Sequence, residues 1–258
     1  MLTTRGQKFS LKATLYISWV AAAGLTVFSA GMLRWQSTGV GRFLAFLFLA
    51  QIVSTQKISL PGMTGTMSPS FLFMLVGIAD FSFAETLALG CTAAFVQTLW
   101  KAKHLPKPEQ VIFNISTLVL CAGFSGWLSH EIVLATRTTS LFVLLAIAAF
   151  LFLVLNTALV SVVVSLTEQK PLRTEWVQCF YWSFPYFFAG ALAAGSVSAL
   201  GRSGGWPSGL LVLPLIYLCH LWYNVHVTNA ARQQALLEGL SENSRALLRE
   251  AEPTLVDT

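Results

Sequence analysis

The side chains of this chain that could carry chemistry are mostly amides, hydroxyls and aromatics. Asn114 and Asn156 stand deep in long apolar runs, with Gln51, Gln97, Ser116 and Thr157 alongside. An amide in such surroundings must find partners. One reading is hydrogen bonding between helices, worth about 0.6 kcal/mol on average. The other is a polar patch in which the two amides orient a ligand. A second candidate is Lys57-Ile-Ser-Leu-Pro-Gly-Met-Thr-Gly-Thr-Met-Ser-Pro69, which sets two prolines, two glycines and four hydroxyl residues between two apolar runs. Here Pro61, Gly62 and Thr64 are candidates to shape a cap over a pocket, and an ordinary turn at the membrane surface is the alternative. Ser68 and Pro69 suit the N-cap and first residue of the next helix. A third candidate is Phe180-Tyr-Trp-Ser-Phe-Pro-Tyr-Phe-Phe188. Trp182 and Tyr186 would give a flat apolar ligand its contact area, and Pro185 should kink the helix; lipid-facing bulk is the alternative.

Other constellations point away from catalysis. Asp80 and Glu85 flank a tight connection and could in principle share a proton or a cation. No histidine lies near them in sequence, so they read as a surface turn, with Glu85 favouring a helix N-terminus. His104, His130, His220 and His226 have no metal-ligand spacing, and the four cysteines form no C-x-x-C. No GxSxG, Walker loop or dinucleotide fingerprint occurs. The expectation is a protein with no catalytic residue, metal or cofactor.

The elements that must position these residues follow from charge and hydropathy. Charged residues make up 10% of the chain and hydrophobic ones 55%, too few charges to give a water-facing surface. Lipid must cover most of the outside, and continuous apolar runs in lipid mean helices. Eight spans are expected, near 14–33, 42–58, 69–82, 84–101, 109–130, 139–167, 175–199 and 208–227, the third being short for a full crossing. The first is read as a retained helix, longer than the apolar part of a signal peptide. With the N-terminus inside, twelve Lys and Arg fall in inner segments (5, 8, 12, 57, 101, 103, 107, 170, 173, 232, 245, 249) and four in outer ones (34, 42, 137, 202). Positive residues favour the cytoplasmic side, so the sequence predicts an all-α, polytopic transmembrane bundle, N-in and C-in. Trp35, Trp100, Trp127, Trp176 and Trp206 fall near span ends as interfacial anchors.

The formal charge of +5 is explained by these flanks, which meet lipid headgroups; no basic patch with interleaved aromatics suggests nucleic acid. Residues 1–227 are read as the transmembrane domain and 228–258 as a cytoplasmic amphipathic helix or tail. In that tail Leu236, Leu240 and Leu247 share a face, and Pro253 marks an end. The stripe covers barely two heptads, short for a coiled coil. Ala189-Gly-Ala-Leu-Ala-Ala-Gly195 offers small residues for close helix contact.

Several short motifs carry a resemblance: LPGMTGTMSPSFLF (60–73), GIADFSFAETLALGC (77–91), KPEQVIFNIS (107–116), LNTALV (155–160) and FYWSFPYFFAG (180–190). Over residues 42–226 the chain resembles the membrane-embedded N-terminal sensor regions of bacterial HD-GYP and GGDEF signalling proteins. It is more distantly similar to the substrate-binding S components of vitamin uptake transporters, in which a loop after an early helix caps a pocket near the outer surface. Charge places the 59–68 loop on the inner side instead, and extra helices flank the presumed core. The resemblance implies a ligand-binding sensor, multi-pass in a bacterial inner membrane, that signals through its C-terminal helix. A sensor without an output domain is expected to act through a protein partner or homo-oligomer. The leading expectation is therefore a sensor for a small apolar ligand held among helices two to seven. A transporter or its binding subunit, and a structural or assembly subunit of a membrane complex, are the alternatives.

Overall fold

Ser10 lies in extended backbone, and its Oγ accepts the Ala13 N–H at 3.2 Å, so the first helix starts on a side-chain cap. The computed structural model describes residues 10–37, 39–56, 58–59, 66–100, 102 and 105–212, with separate residues between 214 and 240. The helices are α1 (Leu11–Met32), α2 (Val40–Ser54), α3 (Phe71–Asp80), α4 (Phe83–Leu99), α5 (Pro108–Thr136), α6 (Leu141–Glu168), α7 (Leu172–Gly204) and the single turn α8 (Trp206–Gly209), followed by a 3₁₀ turn at Leu210–Val212. Their ends follow local chemistry. Ser82 and Glu85 close a reciprocal capping box on α4, and Pro108 opens α5, where a missing N–H costs nothing. Gly205, at φ +83°, ends α7 in a conformation that side chains rarely adopt.

The chain divides into two units, residues 1–57 with 68–214, and residues 58–67 with 215–258. In the first, α1 packs on α5, α5 lies between α4 and α6, and α6 packs along α7. The centre is α3. Eight of its ten residues are buried, an unbroken run from Phe71 to Ile78, so it is enclosed on every side by α4, α6, α7 and their neighbours. Of the second unit, the described parts are a two-residue antiparallel pairing of β1 (Ile58–Ser59) with β2 (Thr66–Met67), Ile58 opposite Met67, and helical residues between 217 and 240. That hairpin is an addition to the all-α expectation.

Four helices are long and apolar enough to cross a membrane: α1, α5, α6 and α7. At about 1.5 Å per residue each exceeds the ~30 Å hydrocarbon layer. By the same measure α2, with 15 residues, reaches about 22 Å; α4, with 17, about 25 Å; and α3, with 10, about 15 Å. Seven expected spans thus coincide with helices, three of them below crossing length. Of the eighth, only its first residues, in α8 and the 3₁₀ turn, and separate helical residues are described; Pro253 lies outside the described residues.

The surface agrees with a lipid environment. Leu15, Trp19 and Leu25 on α1, Phe124 and Trp127 on α5, Phe150 on α6 and Tyr181 on α7 are all exposed. The interior, by contrast, carries hydroxyls that bond to the preceding helical turn: Ser54 to the Ala50 carbonyl, Ser125 to Cys121, Thr157 to Leu153. This satisfies a polar group without water. Ser68 stands two residues before the N-cap of α3, Ser70, whose N–H it accepts at 3.4 Å through Oγ. Its Oγ donates to the Val53 carbonyl at 3.2 Å, serving the last turn of α2, and α3 begins at Phe71.

Candidate functional site

Between α6 and α7 runs an open groove of about 440 Å³, within the usual range of small-molecule sites. Phe142, Ala146 and Phe150 form one wall at four-residue spacing, and Phe184, Phe188 and Leu192 form the other in the same way. Residues four apart stack on one helix face, so each wall is a ridge along its helix. The floor is buried and consists of Ala149, Leu153, Phe187 and Ala191. The alanines leave the space that the phenylalanines enclose. Phe184 and Phe188 lie nearly parallel, at 6.4 Å and 14°. Every lining side chain is apolar, so the groove can take up a hydrocarbon or aromatic body by shape and dispersion, and it holds no group for acid–base or nucleophilic work.

The floor is braced from inside the bundle. Phe187 meets Phe71 of α3 with ring centroids 4.5 Å apart, and Phe71 also contacts Tyr186 at 5.2 Å. Gly190 admits the edge of the Phe71 ring where a Cβ would otherwise stand. The sequence-predicted residues are distributed around this arrangement. Tyr186 is buried against Phe71 and Trp182 is half-buried, and neither lines the groove. Both sit two residues from a wall residue, about 200° round the helix. The aromatic segment thus supplies one wall of the groove, through the face of α7 turned away from Trp182 and Tyr186. Pro185 lies within α7, which continues as helix through it. Asn114 is exposed on α5, and its Nδ2 donates to Thr98 Oγ1 of α4 at 3.2 Å. Asn156 is half-buried on α6, next to Thr157, whose Oγ1 accepts the Trp176 indole N–H at 3.2 Å. Pro61, Gly62 and Thr64 lie outside the described residues. The α6 wall went unrecognised, although the Phe-Ala-Phe spacing at 142, 146 and 150 could have signalled it.

A polar cluster forms a second site. Asp80, at the end of α3, has a side chain only 5% exposed and is held between two arginines. Arg202 of α7 donates from Nε and Nη2 to Asp80 Oδ1 at 3.1 and 2.9 Å, and from Nη2 to the Ala79 carbonyl at 3.0 Å. Arg42 of α2 sets Nη2 3.1 Å from Asp80 Oδ2 and lays its guanidinium 4.9 Å from the Phe81 ring centre. Glu85 is fully buried. The surface-turn reading of Asp80 and Glu85 thus gives way to burial. Partners 38 and 122 residues away were invisible to a local reading. On the α6–α7 connection, Lys170 pairs with Glu168 at 2.9 Å and Glu175 at 3.7 Å. The hydrogen bond to Glu168, then the charge of that carboxylate, raise the Lys170 pKa above its usual value. Among the described residues, no three His, Cys, Asp or Glu are grouped to hold a metal ion.

No protein-family model matches this chain, and neither a curated protein nor a solved structure matches it.

Proposed function

We propose that the protein is an integral-membrane ligand-binding module that takes a small, mostly apolar molecule from the bilayer into the α6–α7 groove and reports occupancy to a partner protein. The observation that carries this reading is the groove itself. Its two aromatic ridges and alanine-floored interior form a shaped apolar recess on helices long enough to span the membrane. The signal would leave through α7, whose C-terminal end continues into α8 and the residues beyond. In this reading both termini are cytoplasmic, eight segments enter a bacterial inner membrane, and the module is of the kind found ahead of bacterial signalling domains. One fact supports the alternating topology. The start of α2 and the ends of α3 and α7 meet at Asp80, as they must if all three lie on the same membrane face.

The test is mass spectrometry of small molecules retained by the protein in native lipid discs, compared with Ala146→Trp. Ala146 is exposed in the groove wall, so the indole fills the recess without entering the core. A specific, stoichiometric compound in the wild type that is lost in the variant is the expected result. Bulk lipid alone in both samples, with a protein partner copurifying, would replace this reading by that of a structural subunit. Retention together with flux across vesicles would make it a transporter.

A further inference from the structure

In the Arg42–Asp80–Arg202 cluster two guanidiniums share a single carboxylate unevenly. Arg202 places three hydrogen bonds on Asp80 Oδ1 and the Ala79 carbonyl. Arg42 stands within ion-pair distance of Oδ2, yet Oδ2 receives no aligned hydrogen bond, and the Arg42 Nε–H is buried with no acceptor. Two guanidiniums against one carboxylate also leave a positive charge at Asp80. Glu85, the next carboxylate in the chain, turns Oε2 to the Ser82 N–H in the first turn of α4.

The backbone beside Arg42 is open in the same sense. The N-cap of α2 is Gly39, which offers no side chain to the N–H groups of the first turn. A Cβ at Gly39 or Gly41 would meet nothing within 4 Å, so a ligand has room to approach. Around the cluster lie the ends of α2, α3 and α7, with Trp35 packed edge-on against Phe43, the aromatic setting of a membrane–water interface. Arginine is the side chain best matched to a phosphate oxyanion, through charge and a planar donor fork.

We infer that Arg42 and Arg202, beside the uncapped start of α2, form a site for a phosphate oxyanion, supplied by the headgroup of an anionic phospholipid. The site is separate from the α6–α7 groove and does not depend on that groove having a ligand. The oxyanion accepts from Arg42 and from the exposed side of Arg202, while Asp80 holds both guanidiniums in place. Asp80 therefore positions the arginines and also competes with the ligand for them.

This double role gives variants of opposite sign. Purified full-length protein in detergent is offered phosphatidylglycerol and phosphatidylcholine, and bound lipid is counted by native mass spectrometry. The wild type should retain phosphatidylglycerol in preference to phosphatidylcholine. Arg42→Gln should lower that preference about tenfold, the scale of one charged hydrogen bond. Asp80→Asn should raise it, because both arginines remain and their competitor is neutral. If Arg42→Gln does not fold, Arg202→Gln, at a half-exposed position, takes its place. A purely structural ion-pair network predicts lower unfolding midpoints in these variants with unchanged lipid preference, and that result overturns the inference. Inorganic phosphate is titrated in parallel. Displacement of the lipid by millimolar phosphate would overturn the headgroup as the source and assign the site to free phosphate. No displacement, with selective retention, upholds the headgroup.

Discussion

The contact of Phe71 with Gly190 yields a quantitative double-mutant prediction. Phe71 is 5% exposed and braces the groove floor through Phe187. In soluble proteins Phe→Ala in a core costs about 3–5 kcal/mol, of which part is transfer from water. Helices in a bilayer lack most of that transfer term, because lipid is as apolar as the core. The cavity term remains: a void on the order of 100 Å³ at about 24 cal/mol per Å³ gives about 2.4 kcal/mol for Phe71→Ala. Gly190→Ala has a different cause. Its Cβ would overlap the ring of Phe71, which is held by Tyr186 and Phe187 and cannot swing away freely. Overpacking of this kind costs about 1–3 kcal/mol. In the double variant the ring is gone, the new methyl group enters the void, and the cost of Gly190→Ala should fall to near zero or change sign. The coupling is therefore about −1 to −3 kcal/mol, to be read from reversible unfolding in mixed micelles. Additivity within about 0.5 kcal/mol would refute the argument that the glycine is there to admit the ring. Phe71→Ala should also loosen Phe187 and weaken ligand retention in the native-disc experiment, while Gly190→Ala in the same background leaves it no worse.

Three further outcomes are expected. Gly24→Ala would set a Cβ 2.6 Å from Ser116 Cβ and 2.8 Å from its Cα; backbone cannot yield as a side chain can, so α1 should separate from α5 at a cost of about 1–3 kcal/mol, measured as a lower unfolding midpoint. Trp176→Phe removes the donor to Thr157 Oγ1 and should cost about 0.6 kcal/mol and under 2, the range for interhelical hydrogen bonds in membranes. Lys170 has a raised pKa, so its contribution is complete below the unfolded-state value of 10.5 and is lost only as pH rises through the higher folded value; wild type and Lys170→Met should keep a constant difference in unfolding midpoint from pH 6 to 9 and converge in strong alkali. A difference that vanished near neutral pH would contradict the pairing with Glu168 and Glu175.

Helix positions were largely legible because apolar length and punctuation are local. Glu85, read as favouring a helix N-terminus, closes the capping box of α4 with Ser82, whereas α7 runs five residues past its expected end at 199 to stop before Gly205. Whether a helix crosses is less local. The run containing α2 read as a span, yet the helix stops at Ser54, where the described chain turns into the hairpin strand at Ile58. The site was half legible. Aromatic density pointed to 180–188, but which face of α7 meets α6 is set by packing against Phe71, Phe142 and Leu145, contributed by other helices. Polarity within an apolar run singled out Asn114, whereas its amide is exposed and joins α5 to Thr98 on α4. Arg42, Asp80 and Arg202 each sit at a helix end and look ordinary alone; only the fold makes them a cluster.

The shortness of α3 has a consequence for the chain that leads into it. In the proposed topology Asp80 lies at one membrane face, and ten residues carry the chain only about 15 Å inward to Phe71, roughly half the hydrocarbon thickness. Ser68 meets the last turn of α2 near that depth. Chain that is neither helix nor sheet reaches such depth only where protein buries it or water follows it. At Ser68, Pro69 and Ser70 protein provides the cover: all three are buried, so the start of α3 is sealed from water by its own neighbours.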